Sequence, residues 1–358
     1  MRIAIIHYTG PETIGGVEQV IFYHYCRFEG LDHRADILTA KEVPNDLSDY
    51  DVVMVHNVFS MPFDLALTHR LREMAAKWKK GKWINWVHDV AAINPFYAHL
   101  PWDDAGHEVL KQAPPNCIHV AVSNARRADY ALATGLPQEQ IRVIPNGLDC
   151  AGVLNVEDRM RCMAEDQKLW QRNFLILHPT RIVRRKNLEF SLRIVAALHD
   201  QGQDVAYLIT GAPDPHNPDH SAYAAELERL VADLKLEESV FFLGSAGRLG
   251  NDEMSELYQL ADLLLFPSLG EGFGLPLLEA ALHGLPVYCS DIPAHREVAM
   301  EGTRFFALKD DPARIAERIM NDDLVNLRRR RRNVYTKHDW VVIADKYLAP
   351  LLDEALQK

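Results

Sequence analysis

Short apolar runs alternate with longer amphipathic stretches along the whole 358-residue chain, and this alternation restricts the fold more than any other feature. Residues 3–6, 35–39, 52–56, 83–87, 118–122 and 142–144 read as buried strands, with helices over 17–28 and 65–78. The pattern restarts at 174–178 and continues through strands 205–210, 240–243, 263–266 and 287–289. Helices over 188–199, 222–234 and 252–261 separate them. Strands joined by helices run parallel, because a parallel connection needs a crossover long enough to hold a helix. The fold class is therefore α/β, with two doubly wound units. The polar stretch 157–172 reads as the linker, giving a first unit over 1–165 and a second over 172–339. Residues 340–358 read as a closing helix.

A formal net charge of −11 argues against a general nucleic-acid binder. Five scattered cysteines without C-x-x-C spacing point to a reducing compartment and no structural zinc. The chain goes directly into a strand, and no apolar run approaches the roughly 20 residues that span a bilayer, so a cytoplasmic protein is expected. Over 70–83, Arg70, Arg72, Lys77, Lys79, Lys80 and Lys82 accompany Trp78 and Trp83. That pattern suits an ordinary amphipathic helix first, and a weak peripheral contact with the inner face of an anionic membrane second.

The densest chemistry lies at 271–279. A strand ending at Pro267 is followed by Gly270, Gly272 and Gly274, then by Pro276 where a helix should begin, with Gly284 and Pro286 to stop it. A strand, a glycine loop and a helix N-terminus bind phosphate through free N–H groups and the helix dipole. A bare phosphate site has no use for Glu271 and Glu279. A sugar nucleotide does, because carboxylates accept hydrogen bonds from pairs of hydroxyls on ribose and hexose.

Further candidates fall at other strand exits, where open α/β sheets bind ligands. Arg181 and Lys186 follow strand 174–178 and can converge on one diphosphate, with Arg184 and Arg185 between them read as solvated. Gly15 and Gly16 open the first helix. His88 and Asp89 end a strand, as does the weaker pair His56 and Asn57. Ser123 and Arg126 follow strand 118–122. Leu243 and Gly244 end a strand beside the expected base pocket, with Tyr258 on the next helix and the polar loop 214–219 as its rim. Residues 145–149 suit a structural turn. Asp49 and Asp51 have D-x-D spacing but precede a strand, so they read as a solvated strand start. The arginine run 328–332 reads as a solvated or carboxylate-paired helix.

The run 271–279 resembles the E-x7-E motif of the retaining glycosyltransferases of family 4, and the resemblance extends in order through the glycine loop, His88, the 146–149 turn and the Arg181/Lys186 pair. It implies a GT-B fold: two Rossmann-like domains facing across a cleft, with the closing helix rejoining the first. It also implies that Glu271 meets hydroxyls of the donor hexose and Glu279 the donor ribose. Phe273, Gly274 and Leu275 would lend backbone amides, and Arg181 and Lys186 would neutralise the leaving diphosphate without a metal or other cofactor. Gly15 and Gly16 would approach the diphosphate, and His88 would act near the hexose. Asp89, Ser123 and Arg126 would serve the acceptor.

The implied activity is transfer of a hexose from a UDP- or GDP-linked sugar to an acceptor hydroxyl with retention, by front-face departure. The alternatives are an idle sugar-nucleotide-binding protein and a sugar-nucleotide epimerase. Lipid, small polyol or acid, and growing oligosaccharide all stay open as acceptors.

Overall fold

The computed structural model describes residues 1–211, 220–247 and 249–357, so the loop 214–219 lies outside the described residues. Contacts divide the chain into one unit of Met1–Asp149 with His338–Lys358, and a second of Cys150–Lys337.

The first unit carries six strands: β1 (Arg2–Ile6), β2 (Arg34–Leu38), β3 (Val52–His56), β4 (Trp83–Val87), β5 (Cys117–Ala121) and β6 (Ile141–Val143). All pair in parallel, in the order β2-β1-β3-β4-β5-β6. Every residue of β3 and β4 is buried, as expected for strands covered by helices on both faces.

The second unit repeats the plan with β7 (Phe174–His178), β8 (Val205–Ile209), β9 (Val240–Phe242), β10 (Leu263–Phe266), β11 (Val287–Ser290) and β12 (Arg304–Phe306). The order is β12-β11-β10-β7-β8-β9, again all parallel. Strand order reverses between β1 and β3 in one sheet and between β7 and β10 in the other. Those switch points are where a doubly wound sheet opens a crevice beyond its strand exits.

Three expectations need correction. The stretch 157–172 is no linker: it forms the helix Asp158–Asp166, and Met160, Ala164, Leu169 and Trp170 are buried in the second unit's core. The division falls instead between Asp149 and Cys150. The closing segment is helical but not one helix. Pro350 lacks the N–H that an uninterrupted ladder needs, and a π turn over Ala344–Leu348 separates Trp340–Ile343 from Ala349–Ala355. Strand β12 was not anticipated.

The closing segment is integral to the first unit. Trp340, Ile343, Leu348, Leu351 and Leu352 join the core that packs on β1, β3 and β4. Gly147 makes room for it: a Cβ there would lie 2.7 Å from Trp340 Cε3. Beside it Leu148 bridges Asp339, so the turn at 145–149 is structural.

Candidate functional site

At the switch point of the second unit, β7 and β10 bring two loops together. After β7 the chain makes a tight turn over Arg184–Lys186, and Asn187 adopts the left-handed conformation (φ 54°). Asn187 Nδ2 donates to Pro267 O at 3.2 Å and ties that turn to the loop after β10. Lys186 is consequently buried, with Nζ 4.6 Å from the centre of the Phe266 ring.

Glu271, whose side chain is 8% exposed, accepts from Lys186 Nζ at 2.6 Å and from Arg185 at 3.0 Å. Arg185 also donates to Gly270 O at 3.2 Å, so it belongs to the site and is not merely solvated. Arg184 turns away to Glu226 at 2.8 Å. Burial alone would raise the Glu271 carboxyl, but the hydrogen bond from Lys186 and the neighbouring cations bring it below its ordinary value. Burial lowers the Lys186 ammonium despite Glu271, and Arg185 and Arg181 add to the lowering. Arg181 itself is exposed beside the exit of β7.

Glu279 is exposed on the first turns of the helix Leu275–Leu282 and accepts from Tyr258 Oη at 2.5 Å. Tyr258 is buried and stacks on His283 with centroids 5.3 Å apart. Leu243 is also buried, packed in the same core, and Gly244 lies in the short turn Leu243–Ala246. Phe273 and Leu275 are exposed around Gly274.

Only one of the three motif glycines has a conformational reason. Gly274 takes φ +105°, and a Cβ there would press on Val298 at 3.3 Å and touch His295 at 3.5 Å. Gly270 and Gly272 face open space.

Two features escaped the sequence reading. Gly211, at the exit of β8, packs against the turn that carries Arg181: an added Cβ would come within 2.6 Å of Arg181 Cα. His295 is fully buried behind Gly274, with Nδ1 2.9 Å from Ser290 O and its ring 5.3 Å from Phe266. The only sequence signal for it was the polar segment following β11.

In the first unit, His7, His56 and His88 stand at strand exits, and His24 of the helix Gly16–Gly30 packs against them, its ring 5.3 Å from that of His56. His88 Nε2 is 3.0 Å from His56 Nδ1, and His7 Nδ1 is 2.9 Å from His56 O. Asn57 (φ 62°) accepts from the backbone N–H of His88 at 2.7 Å and of Asp89 at 3.1 Å, which fixes the end of β4. Burial lowers His88 and His24 to about 3 and pushes His56 down as well, so all three are neutral near pH 7.

A buried N–H without a partner is rarer than a buried lone pair without one. His56 Nε2 has no partner among the described residues, which favours His56 Nδ1–H donating to His88 Nε2. His88 then carries its own proton on Nδ1.

Arg126 reaches Asp89 at 3.3 Å and Asp129 at 2.9 Å. Ser123 is occupied as the helix cap, its Oγ accepting from Arg126 N at 3.1 Å. Gly15 caps the first helix in an extended conformation, and a Cβ at Gly16 would meet nothing within 4 Å.

The basic stretch at 70–83 is largely used internally. Arg70 donates to Val43 O at 3.3 Å, Arg72 to Gln112 O at 2.8 Å and Lys80 to Tyr50 O at 2.9 Å. No described helix is long and apolar enough to cross a membrane. Asp51 accepts from Arg2 N at 2.8 Å at the start of β3, on the opposite edge from the strand exits. In the arginine run, Arg332 is buried on Asp262 at 2.8 Å, and Arg328 donates to Tyr258 O at 3.0 Å and Ala261 O at 3.1 Å. These are carboxylate-paired and helix-capping roles, which draw the run inward.

Residues 173–321 match the model of the family glycosyl transferases group 1. The chain is 34% identical over 228 residues to the O-antigen chain mannosyltransferase RfbU of Salmonella typhimurium, covering 63% of this chain and 56% of that protein. It is 25% identical over 276 residues to mannosylglucosylglycerate synthase of Petrotoga mobilis, covering 70% of this chain and 62% of that protein. This chain thus spans less than two thirds of either relative. A solved structure of Anabaena Alr3699/HepE with UDP and glucose aligns over 99% of this chain and all of that one, at 18% identity and a TM-score of 0.40. The family match at 173–321 runs from the start of β7 past β12 and so lies within the second unit, around the β7/β10 switch point.

Proposed function

We propose that the protein is a retaining glycosyltransferase that moves a hexose, with mannose the first candidate, from a nucleoside-diphosphate sugar to an acceptor hydroxyl. The observation that carries the reading is the Lys186–Glu271 pair at the β7/β10 switch point, inside a matched glycosyl transferases group 1 segment. Mannose comes from the names of the relatives, RfbU and mannosylglucosylglycerate synthase, and UDP or GDP remains the donor carrier.

In this reading Lys186 and Arg181 take the diphosphate, and Lys186 exchanges part of its contact with Glu271 for a phosphate oxygen. Charge-assisted hydrogen bonds of that kind strengthen as the glycosidic C–O bond breaks and negative charge builds on the leaving group. Glu271, relieved of one cation, accepts from hexose hydroxyls, with Arg185 holding its second oxygen. Glu279 accepts from the ribose, oriented by Tyr258. Backbone amides around Gly274 and the N-terminus of the helix Leu275–Leu282 supply further donors. Leu243 and Gly244 border the base. No metal or other cofactor is required.

The acceptor oxygen attacks the anomeric carbon on the face from which the diphosphate leaves, and its proton passes to a leaving phosphate oxygen. His88 offers Nδ1–H to a sugar hydroxyl. The open space at Gly16 lets a ligand approach the backbone there. Asp89 and Arg126 remain the acceptor-side candidates.

The test is incubation of the enzyme with anomerically defined UDP- and GDP-hexoses, a panel of sugar acceptors and a chelator, with products read by proton NMR. The proposal requires a new glycosidic linkage of the donor's anomeric configuration, lost in Glu271→Gln and Lys186→Ala. Inverted product contradicts the front-face mechanism. Donor consumed without any acceptor dependence favours an epimerase or hydrolase.

A further inference from the structure

The loops after β1, β3 and β4 carry an aromatic cluster that the donor chemistry does not use. Tyr8 and Phe63 meet edge to face with centroids 5.2 Å apart, and Phe63 meets Tyr97 at 6.3 Å. Phe96 adjoins Tyr97 at 5.5 Å. Phe63 is 60% exposed and Phe96 78% exposed, although each is large enough to be worth burying.

The cluster is held in place. Tyr8 Oη donates to Met61 O at 2.8 Å, and Ala91 N donates to Ser60 O at 3.0 Å, which stitches the three loops together. Asn94 accepts from Phe96 N at 3.0 Å, and Trp102 Nε1 donates to Tyr97 O at 3.0 Å. The rings therefore stand on a fixed platform at the β1/β3 switch point, at the same sheet edge as His88 and the Asp89–Arg126 pair.

An exposed, contiguous aromatic patch marks a binding surface, and its surroundings indicate for what. The connections 7–15, 57–64 and 88–116 contribute Glu12, Asp64, Asp89, Asp103, Asp104 and Glu108 against one lysine, Lys111, whose Nζ is turned to Trp102 O at 3.1 Å; Arg126 of the following helix pairs with Asp89. Carboxylates repel an anionic bilayer and accept hydrogen bonds from hydroxyls. The electron-rich faces of aromatic rings attract the polarised C–H edges of a pyranose. We infer that Tyr8, Phe63, Phe96 and Tyr97 form a saccharide-binding platform, with the sugar's C–H face on the rings and its hydroxyls toward the neighbouring carboxylates. As the acceptor subsite of the enzyme, it rests on the glycosyl-transfer reading. As a saccharide site, it stands on its own.

Saturation-transfer difference NMR tests it, with mannotriose, maltotriose and triacetylchitotriose as probes against the full chain. Transfer to ring C–H protons of at least one trisaccharide is expected. Phe63→Ala and Phe96→Ala should each weaken that binding by about tenfold, the scale of one lost aromatic contact. Phe63→Tyr should keep it. Because both rings are exposed, all three variants should retain the wild-type melting temperature and any stabilisation by nucleoside diphosphates. No transfer to any of the three probes, or transfer unchanged in both alanine variants, overturns the platform. So does sedimentation with phosphatidylglycerol vesicles that the alanine variants abolish, which would make the patch a membrane contact. Failure of every nucleotide to bind would instead overturn the glycosyl-transfer reading and leave the saccharide result to be judged separately.

Discussion

Lys186 and Glu271 neutralise each other in the absence of ligand, 2.6 Å apart and both largely buried. Removing one partner of a buried pair leaves the other charge uncompensated, at a cost of about 3–5 kcal/mol. Glu271→Gln should therefore lower stability at the lower end of that range, about 3 kcal/mol by denaturant unfolding, because Lys186 keeps some contact with water. A nucleoside diphosphate should restore part of the loss by supplying an anion to Lys186. Equal loss with and without nucleotide would speak against Lys186 as a phosphate ligand.

The buried histidines give a second residue-scale prediction. His24 is fully buried with neither ring nitrogen partnered among the described residues, and burial lowers it to about 3. Its unfolded value is about 6.5. Between those values the unfolded chain binds the extra proton, so stability falls as pH falls from about 6.5 toward 3, by about 1.4 kcal/mol per pH unit for this group. His24→Phe removes that dependence and keeps the ring against Trp86 and Phe28. The variant should be close to wild type at pH 7.5 and about 2 kcal/mol more stable than wild type at pH 5. Parallel stability curves for the two proteins would show that His24 is not the neutral buried group described here.

At the scale of the element, the strand–loop–helix unit at 263–282 is the clearest case of local sequence setting a site. Gly274 sits at φ +105° immediately before Leu275–Leu282 and against Val298 and His295. Gly274→Ala adds both backbone strain and a close contact, costing about 1–3 kcal/mol. It should also displace the amides that begin the helix, so nucleotide affinity should fall along with the melting temperature. Gly272→Ala, which meets nothing within 4 Å, should change stability little.

This unit was legible because Pro267, the glycines and Pro276 punctuate a strongly apolar strand. The other strands were legible as short apolar runs, three-residue β6 and β9 among them, while β12 was not anticipated. The Arg185–Glu271 contact was not legible: the direction of a side chain in a tight turn depends on Asn187 reaching Pro267, 80 residues away. Nor was the burial of 157–172, because its polar residues outnumber Met160, Ala164, Leu169 and Trp170. The histidine cluster was half visible. His56 and His88 stood at strand ends, but His24 lies inside a helix whose partners are set by tertiary packing.

At the scale of the whole molecule, the chain leaves its first unit at Asp149 and returns at His338. The returning segment completes the first core through Trp340, Ile343, Leu348, Leu351 and Leu352. A chain ending at Lys337 should therefore lose amide-exchange protection in β1 through β6 while β7 through β12 keep theirs. Retained protection in β1 and β3 would mean that the segment is only an appendage.

The central claim is that the β7/β10 switch point of the second unit holds a nucleoside diphosphate. The most direct measurement is thermal unfolding of the wild type and Lys186→Ala with UDP, GDP and their hexose conjugates, in the presence of chelator. One nucleotide family should stabilise the wild type, by about 2.7 kcal/mol at a hundred times its dissociation constant, and Lys186→Ala should lose most of that gain. No stabilisation by either family, or an equal gain in Lys186→Ala, would contradict the account.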